Sequence, residues 1–190
     1  MLKNTIAAVG ALASLAAAPS IVMADQTQNA GDAFAFTFEA IDGTELPLAR
    51  YSGKVLMVVN TASMCGFTGQ YEALQGLWER YESAGLVVIG VPTNDFGGQE
   101  PKSESEIVKF CQGAFGVTFP LTAKQDVIGK NAHPFYQWAH ETLGAKAAPR
   151  WNFHKYIVDR EGRLVASFPT TIKPDSAKVI DVLESSLAKG

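Results

Sequence analysis

The chain has 190 residues, 47% of them hydrophobic and 18% charged, enough for one domain with a sizeable core and too apolar for an intrinsically disordered chain. Its formal net charge of −3, with Lys and Arg scattered along the sequence, leaves no basic face on which nucleic acid could be tracked. Two cysteines, Cys65 and Cys111, are too few for a disulfide-dense scaffold or a four-thiolate zinc site, so no metal is expected.

In chain order, Met1 to Ala24 carries a single charge, Lys3, ahead of a run of small and apolar residues from Ile6 to Ala18. Val22, Met23 and Ala24 then precede polar Asp25, which reads as a secretory signal cleaved after Ala24. The apolar run is shorter than the ~20 residues a membrane span needs. Residues 25–190 would then be one exported domain in an oxidising compartment, periplasmic if the source is bacterial, with no stable membrane insertion.

Phe34, Phe36 and Phe38 alternate with small or polar residues, and Asp42-Gly43 supplies a turn before Leu46 and Leu48, which predicts an N-terminal hairpin. Lys54 to Asn60 holds five apolar residues in a row, the mark of a central strand covered on both faces. From Thr68, Tyr71, Leu74, Leu77, Trp78 and Tyr81 recur at helical spacing, and Leu86 to Val91 is a second buried strand, so the three form a βαβ unit with parallel strands. Ser103 with Glu106 spells a capping box for a helix carrying Ile107, Phe110 and Cys111 inward and ended by Gly113 and Gly116. A further helix opens at Pro134 and closes near Gly144. Strands Phe153 to Val158 and Arg163 to Phe168 are joined by Asp159-Arg-Glu-Gly162, and a last helix starts at Pro174. This order predicts an α/β sandwich on a mixed sheet, parallel first and antiparallel at the end.

Cys65 lies between the central strand and the first helix, at the carboxyl edge where open α/β sheets bind ligands. The free N–H groups of a helix start favour thiolate over thiol, and Gly66 and Gly69 leave the backbone around the sulfur uncluttered. A buried core cysteine is the bland alternative. Thiolate formation alone is not enough for catalysis: a free thiol of pKa ~8.5 is about 3% ionised at pH 7, so full ionisation gains at most ~30-fold. A strong activity needs donors that stabilise charge on a leaving group, each worth ~10²–10³-fold. Asn94-Asp-Phe-Gly-Gly-Gln99-Glu-Pro101 follows the second parallel strand, and Trp151-Asn152 opens the late hairpin. Both offer neutral donors, although each alone also reads as a turn or a core residue beside one.

Taken together, Val59-Asn-Thr-Ala-Ser-Met-Cys65-Gly-Phe-Thr, Gly90-Val-Pro-Thr-Asn-Asp-Phe-Gly-Gly-Gln99-Glu-Pro101 and Trp151-Asn152-Phe153-His-Lys-Tyr-Ile-Val-Asp-Arg-Glu-Gly162 resemble three motifs of the glutathione peroxidase family, in the family's order. The resemblance implies a thioredoxin-like fold and a peroxidase that uses no cofactor, with Cys65 as peroxidatic residue where some members carry selenocysteine. Gln99, Trp151 and Asn152 would complete a catalytic tetrad. Cys111 falls where two-cysteine members carry a resolving cysteine, which implies a Cys65–Cys111 disulfide reduced by thioredoxin or a similar dithiol protein rather than by glutathione. Thr93 stands where many relatives have another cysteine, and Asp95 replaces a common Gln. The short segment between Gly144 and Trp151 lacks the insertion of tetrameric members and implies a monomer.

Rival readings are a thiol–disulfide oxidoreductase, which would place a second cysteine at Thr68, and a peroxiredoxin, whose threonine would stand at Ala62. Further alternatives are a sensor relaying oxidation to a partner protein and a non-enzymatic module stapled by Cys65–Cys111. His133, His140 and His154 show no metal-ligand spacing and read as surface or packing residues.

Overall fold

The computed structural model describes residues 31–189, so the expected signal segment lies outside the described residues. The unbroken apolar runs become the two parallel strands, β3 (Val55–Thr61) and β4 (Leu86–Pro92), both buried along their whole length. They pair in parallel, Val55 opposite Leu86 through Thr61 opposite Pro92. On the other side of β3 lies antiparallel β5 (Lys155–Val158), and β6 (Leu164–Phe168) forms the edge, giving the order β4-β3-β5-β6. The expected mixed sheet is therefore present.

Side chains alternate across β3, so the sheet has two apolar faces. Val55, Met57 and Val59 pack under α1 (Gln70–Tyr81), α2 (Glu104–Phe115) and α4 (Ala177–Leu187). Leu56 and Val58 pack under α3 (Pro134–Leu143) and the separate hairpin of β1 (Thr37–Glu39) with β2 (Glu45–Pro47). Each fully buried aliphatic side chain contributes ~1.5–3 kcal/mol. Cys65 and Cys111 both lie on the first face.

Local chemistry explains where elements depart from the sequence pattern. Phe34 is not in a strand, because Asp32 Oδ1 accepts the Phe34 N–H at 2.8 Å and winds Ala33–Ala35 into a 3-10 turn. Leu48 opens a second such turn, Leu48–Tyr51, leaving Phe38 and Leu46 as the buried residues of the hairpin. Gly113 does not end α2. The helix runs through it to Gly116, which takes the left-handed conformation that closes a helix (φ 63°). The final helix starts at Ala177 rather than Pro174, since a preceding turn donates Ser176 N–H to Lys173 O at 3.1 Å. Trp151 to Phe153 form a turn ahead of β5, not its first residues, and Phe153 adopts φ 63°.

Candidate active site

The site is assembled from three loops at the carboxyl edge of β3 and β4. Beyond Thr61 the chain turns, with Thr68 N–H donating to Cys65 O at 3.1 Å and Gln70 N–H to Phe67 O at 2.9 Å, so that Cys65 sits just ahead of the first turn of α1. Its sulfur is less open than the flanking glycines suggest: Cys65 is 5% exposed and joins Ala62 in the apolar core, while Met64 (63%) and Phe67 (40%) take the outward positions. A cleft of about 510 Å³ opens beside it between the start of α1 and the loop after β6, lined by Gly66, Phe67, Gln70, Thr170 and Thr171.

The second loop is laced to the first. Met64 N–H donates to the Gln99 carbonyl at 3.0 Å, and both the N–H and Oγ of Ser63 donate to Glu100 Oε2, at 2.8 and 2.9 Å. Asn94 Oδ1 accepts the Glu100 N–H at 2.9 Å and closes the loop on itself. Gly97 and Gly98 turn it with φ of 68° and 63°, consecutive left-handed residues that only glycine adopts without strain. Asp95 has its own task, accepting the N–H groups of Val127 and Ile128 at 2.7 and 3.1 Å. Burial raises the carboxyl of Glu100 above the usual range, against the pull of the Ser63 donors.

The third loop carries Trp151 and Asn152. Asn60 on β3 pins it, its Nδ2 donating to Trp151 O at 3.1 Å and its carbonyl accepting the Phe153 N–H at 2.6 Å. Thr170 Oγ1 donates to Asn152 O at 2.6 Å. Asn152 is fully buried and its Nδ2 donates to Gln99 Oε1 at 3.0 Å, which leaves the Gln99 amide N–H groups free to face a ligand. The Asn152 Oδ1 is buried with no donor. Trp151 is 39% exposed, with its ring 6.0 Å from that of Phe96.

Gln99, on the loop tied to Met64, and the turn bearing Trp151 and Asn152 thus come together from positions about fifty residues apart. Cys111 stands apart from them, fully buried in the middle of α2 and within the same apolar cluster as Cys65; both are free thiols. Burial, with the Glu100 charge adding to it, pushes the Cys111 thiol up to about 11. His133 caps α3, its Nδ1 accepting the Phe135 N–H at 3.2 Å while its ring stacks 3.9 Å from Phe38. His154 is buried against Tyr156 and held neutral, its pKa lowered to about 4 by burial and by neighbouring Lys155; His140 is exposed. Among the described residues no group of three or more His, Cys, Asp or Glu could hold a metal ion.

Sequence reasoning missed the residues that hold this arrangement: Asn60, Gln70, Glu100, Lys155 and Thr170, all buried and polar. Only Lys155 left a signal. It falls in phase with Phe153 and Ile157, at an inward position of a strand that is otherwise apolar there.

Residues 33–140 match the model of the family described as glutathione peroxidase. The chain belongs to the glutathione peroxidase family. The match takes in Cys65, Gln99 and Cys111 and stops short of Trp151 and Asn152. A hydroperoxy fatty acid reductase of Synechocystis is 43% identical over 150 residues, covering 75% of this chain and 89% of the relative. A glutathione peroxidase-like peroxiredoxin of Schizosaccharomyces pombe is 44% identical over 137 residues, 70% of this chain and 86% of the relative. The crystal structure of T. cruzi GPX1 superimposes with a TM-score of 0.67 at 30% identity, over 83% of this chain and 97% of that one. The thioredoxin-like fold implied by the sequence motifs is thereby established, with the hairpin of β1 and β2 preceding the central sheet.

Proposed function

We propose that this glutathione peroxidase family member is a thiol peroxidase that reduces hydrogen peroxide and organic hydroperoxides through Cys65. The observation that carries the reading is the hydrogen bond from Asn152 to Gln99 Oε1, on a loop whose backbone is bonded to the residue before Cys65. It fixes the orientation of the Gln99 amide on a loop bonded to the residue before Cys65, which supports a donor that needs no reorganisation when charge develops on the departing oxygen.

In the first step the Cys65 thiolate attacks one peroxide oxygen and the O–O bond breaks. The sulfur is oxidised to sulfenic acid, and the other oxygen leaves as hydroxide or alkoxide and takes up a proton. Gln99, Trp151 and Asn152 orient the peroxide and stabilise that leaving oxygen. The Cys111 thiol then condenses with the sulfenic acid, releasing water and forming a Cys65–Cys111 disulfide. A thioredoxin-like dithiol protein returns two electrons and two protons by exchange. Exposed Met64, Phe67 and Trp151 give the surroundings of the site an apolar surface suited to the chain of an organic hydroperoxide. The hydroperoxy fatty acid reductase relative supports that substrate class. The protein works as an exported monomer, periplasmic in a bacterium; the apolar leader and the short segment before Trp151 support that placement and state.

Cys65→Ser tests the reading. Peroxide consumption, followed as dithiol oxidised per peroxide added, is expected to vanish with the fold intact by circular dichroism. Wild-type turnover in this variant would refute the assignment.

A further inference from the structure

Lys155 opens β5 and is completely buried. Its register opposite Val59 puts its side chain on the face of the sheet that carries α1 and Cys65. A buried ammonium is ordinarily matched by a carboxylate. Lys155 forms no ion pair among the described residues; its Nζ donates to the Phe153 carbonyl at 2.7 Å and to Gln70 Oε1 at 2.9 Å. Gln70 is the first residue of α1, five positions after Cys65, and its Nε2 donates to Thr170 O at 2.8 Å. Thr170 in turn donates to Asn152 O. Lys155 therefore closes a ring of hydrogen bonds through the start of α1, the loop after β6 and the turn bearing Trp151 and Asn152. Within that turn Phe153 is the non-glycine residue held at positive φ, and Lys155 binds its carbonyl.

We propose that Lys155 is a positioning residue of the peroxidase site: its ammonium fastens the donor-bearing turn to the start of α1 and supplies positive charge to the buried side of the Cys65 loop. The inference rests on the thiol-peroxidase reading above. The ionisable groups on the surrounding elements are His154 beside it, Cys65, Tyr71 and Glu72 around the start of α1, Cys111 on α2, Glu100 across the Cys65 loop, and Lys173 and Asp175 beyond Thr170. Glu72, Lys173 and Asp175 are exposed and screened by water.

Burial lowers Lys155 to about 7, so its charge titrates where a peroxidase works. The neutral amine still has two N–H groups and keeps both hydrogen bonds. Losing the proton removes the field without dismantling the ring, and a pH profile therefore separates the charge from the scaffold.

The test follows the alkylation rate of Cys65 by iodoacetamide across pH 5–10 in a Cys111→Ser background, together with stopped-flow oxidation by one equivalent of hydrogen peroxide. Lys155→Met is expected to move the alkylation profile to higher pH, with roughly tenfold slower alkylation and oxidation at pH 7, corresponding to about one pH unit. The parent profile is expected to depart from a single titration curve, whereas that of Lys155→Met follows one. Lys155→Arg, which keeps the charge, is expected to restore the profile. A folded Lys155→Met with the parent profile overturns the inference; if that variant does not fold, a parent profile that fits one titration overturns it instead. Should the parent oxidise no faster than free cysteine while Lys155→Met still shifts alkylation, the peroxidase reading fails and the influence of Lys155 on Cys65 stands.

Discussion

A charge buried without a counter-ion leaves a mark on folding stability, and Lys155 makes that mark measurable. Its ordinary pKa of 10.5 describes the unfolded chain, and burial lowers the folded value to about 7. Below pH 7 both states hold the proton, and the native state bears the whole cost of burying the ammonium. Between about 7 and 10.5 the unfolded chain holds the proton and the native state does not, so stability rises with pH; above 10.5 the cost is gone. At ~1.4 kcal/mol per pH unit the gap is a ceiling of about 5 kcal/mol, of which about 3 kcal/mol falls between pH 6 and pH 9. Lys155→Met removes this dependence. It also strips a donor from Gln70 Oε1 and from the Phe153 carbonyl, a loss of ~1–3 kcal/mol each that does not vary with pH. Urea denaturation of reduced wild type and variant at pH 6, 7.5 and 9 isolates the charge: the stability difference, wild type minus variant, should grow by about 3 kcal/mol from pH 6 to pH 9. In melting temperature that is roughly 6–12 °C for a chain of this size. A difference that stays constant across the range would mean that Lys155 is not a buried cation, and the argument from its charge would fall with it.

Gln99→Ala and Asn152→Ala each remove a donor and break the bond between the two side chains. Sulfenic acid formation, read by stopped-flow fluorescence, should slow roughly 10–10³-fold, and rates within about twofold of wild type would return these residues to a structural role. Their effects should combine less than additively, since either change disrupts the same pair. Cys111→Ser should reduce one equivalent of peroxide at the wild-type initial rate and then stall, with mass spectrometry finding sulfenic acid at Cys65; sustained turnover with a thioredoxin-type reductant would count against resolution by Cys111. Thermal melts add an independent check. A structural staple closing the span from Cys65 to Cys111 would stabilise by ~4 kcal/mol, whereas a catalytic disulfide that pulls Cys111 out of α2 should stabilise far less or destabilise.

How much of the molecule is readable in its sequence depends on whether the signal is local. The parallel strands β3 and β4 and α1 to α3 are legible because periodicity, a capping box, Pro134 at a helix start and Gly144 at its end are short-range features. Where a local hydrogen bond competes with the pattern, as from Asp32 at Phe34 and in the backbone turn before Ser176 at Pro174, the pattern loses. Cys65, Gln99, Trp151 and Asn152 could be named because family motifs mark them. Their supports could not, since Asn60, Glu100 and Thr170 acquire meaning only through partners 18 to 91 residues away. The burial of Cys65 is hidden from the sequence for a related reason. Flanking glycines describe the backbone, but the exposure of the sulfur is decided by Met64 and Phe67 turning outward while Ala62 and Cys65 complete the core.

The burial of Cys111 turns α2 into a clock. With its thiol pushed up to about 11, roughly one molecule in 10⁴ carries a thiolate at that position at pH 7, and the sulfur has no exposed surface. Resolution on the proposed cycle must therefore wait for the helix to open. Gly113 follows within two residues of Cys111, and the cap at Gly116 bonds back to Gln112 and, through Val117 N–H, to Cys111's own carbonyl, so opening the helix at that end breaks these bonds. Peroxide that arrives more slowly than α2 opens is turned over and the enzyme is regenerated. Peroxide that arrives faster meets a sulfenic acid still waiting for its partner and drives Cys65 on to sulfinic acid, which thiols do not reverse. On the proposed cycle the tolerance of the protein to an oxidant burst would be set by the opening rate of one helix, and a substitution that tightens that helix, such as Gly113→Ala, would make the enzyme sturdier and more easily destroyed by its own substrate.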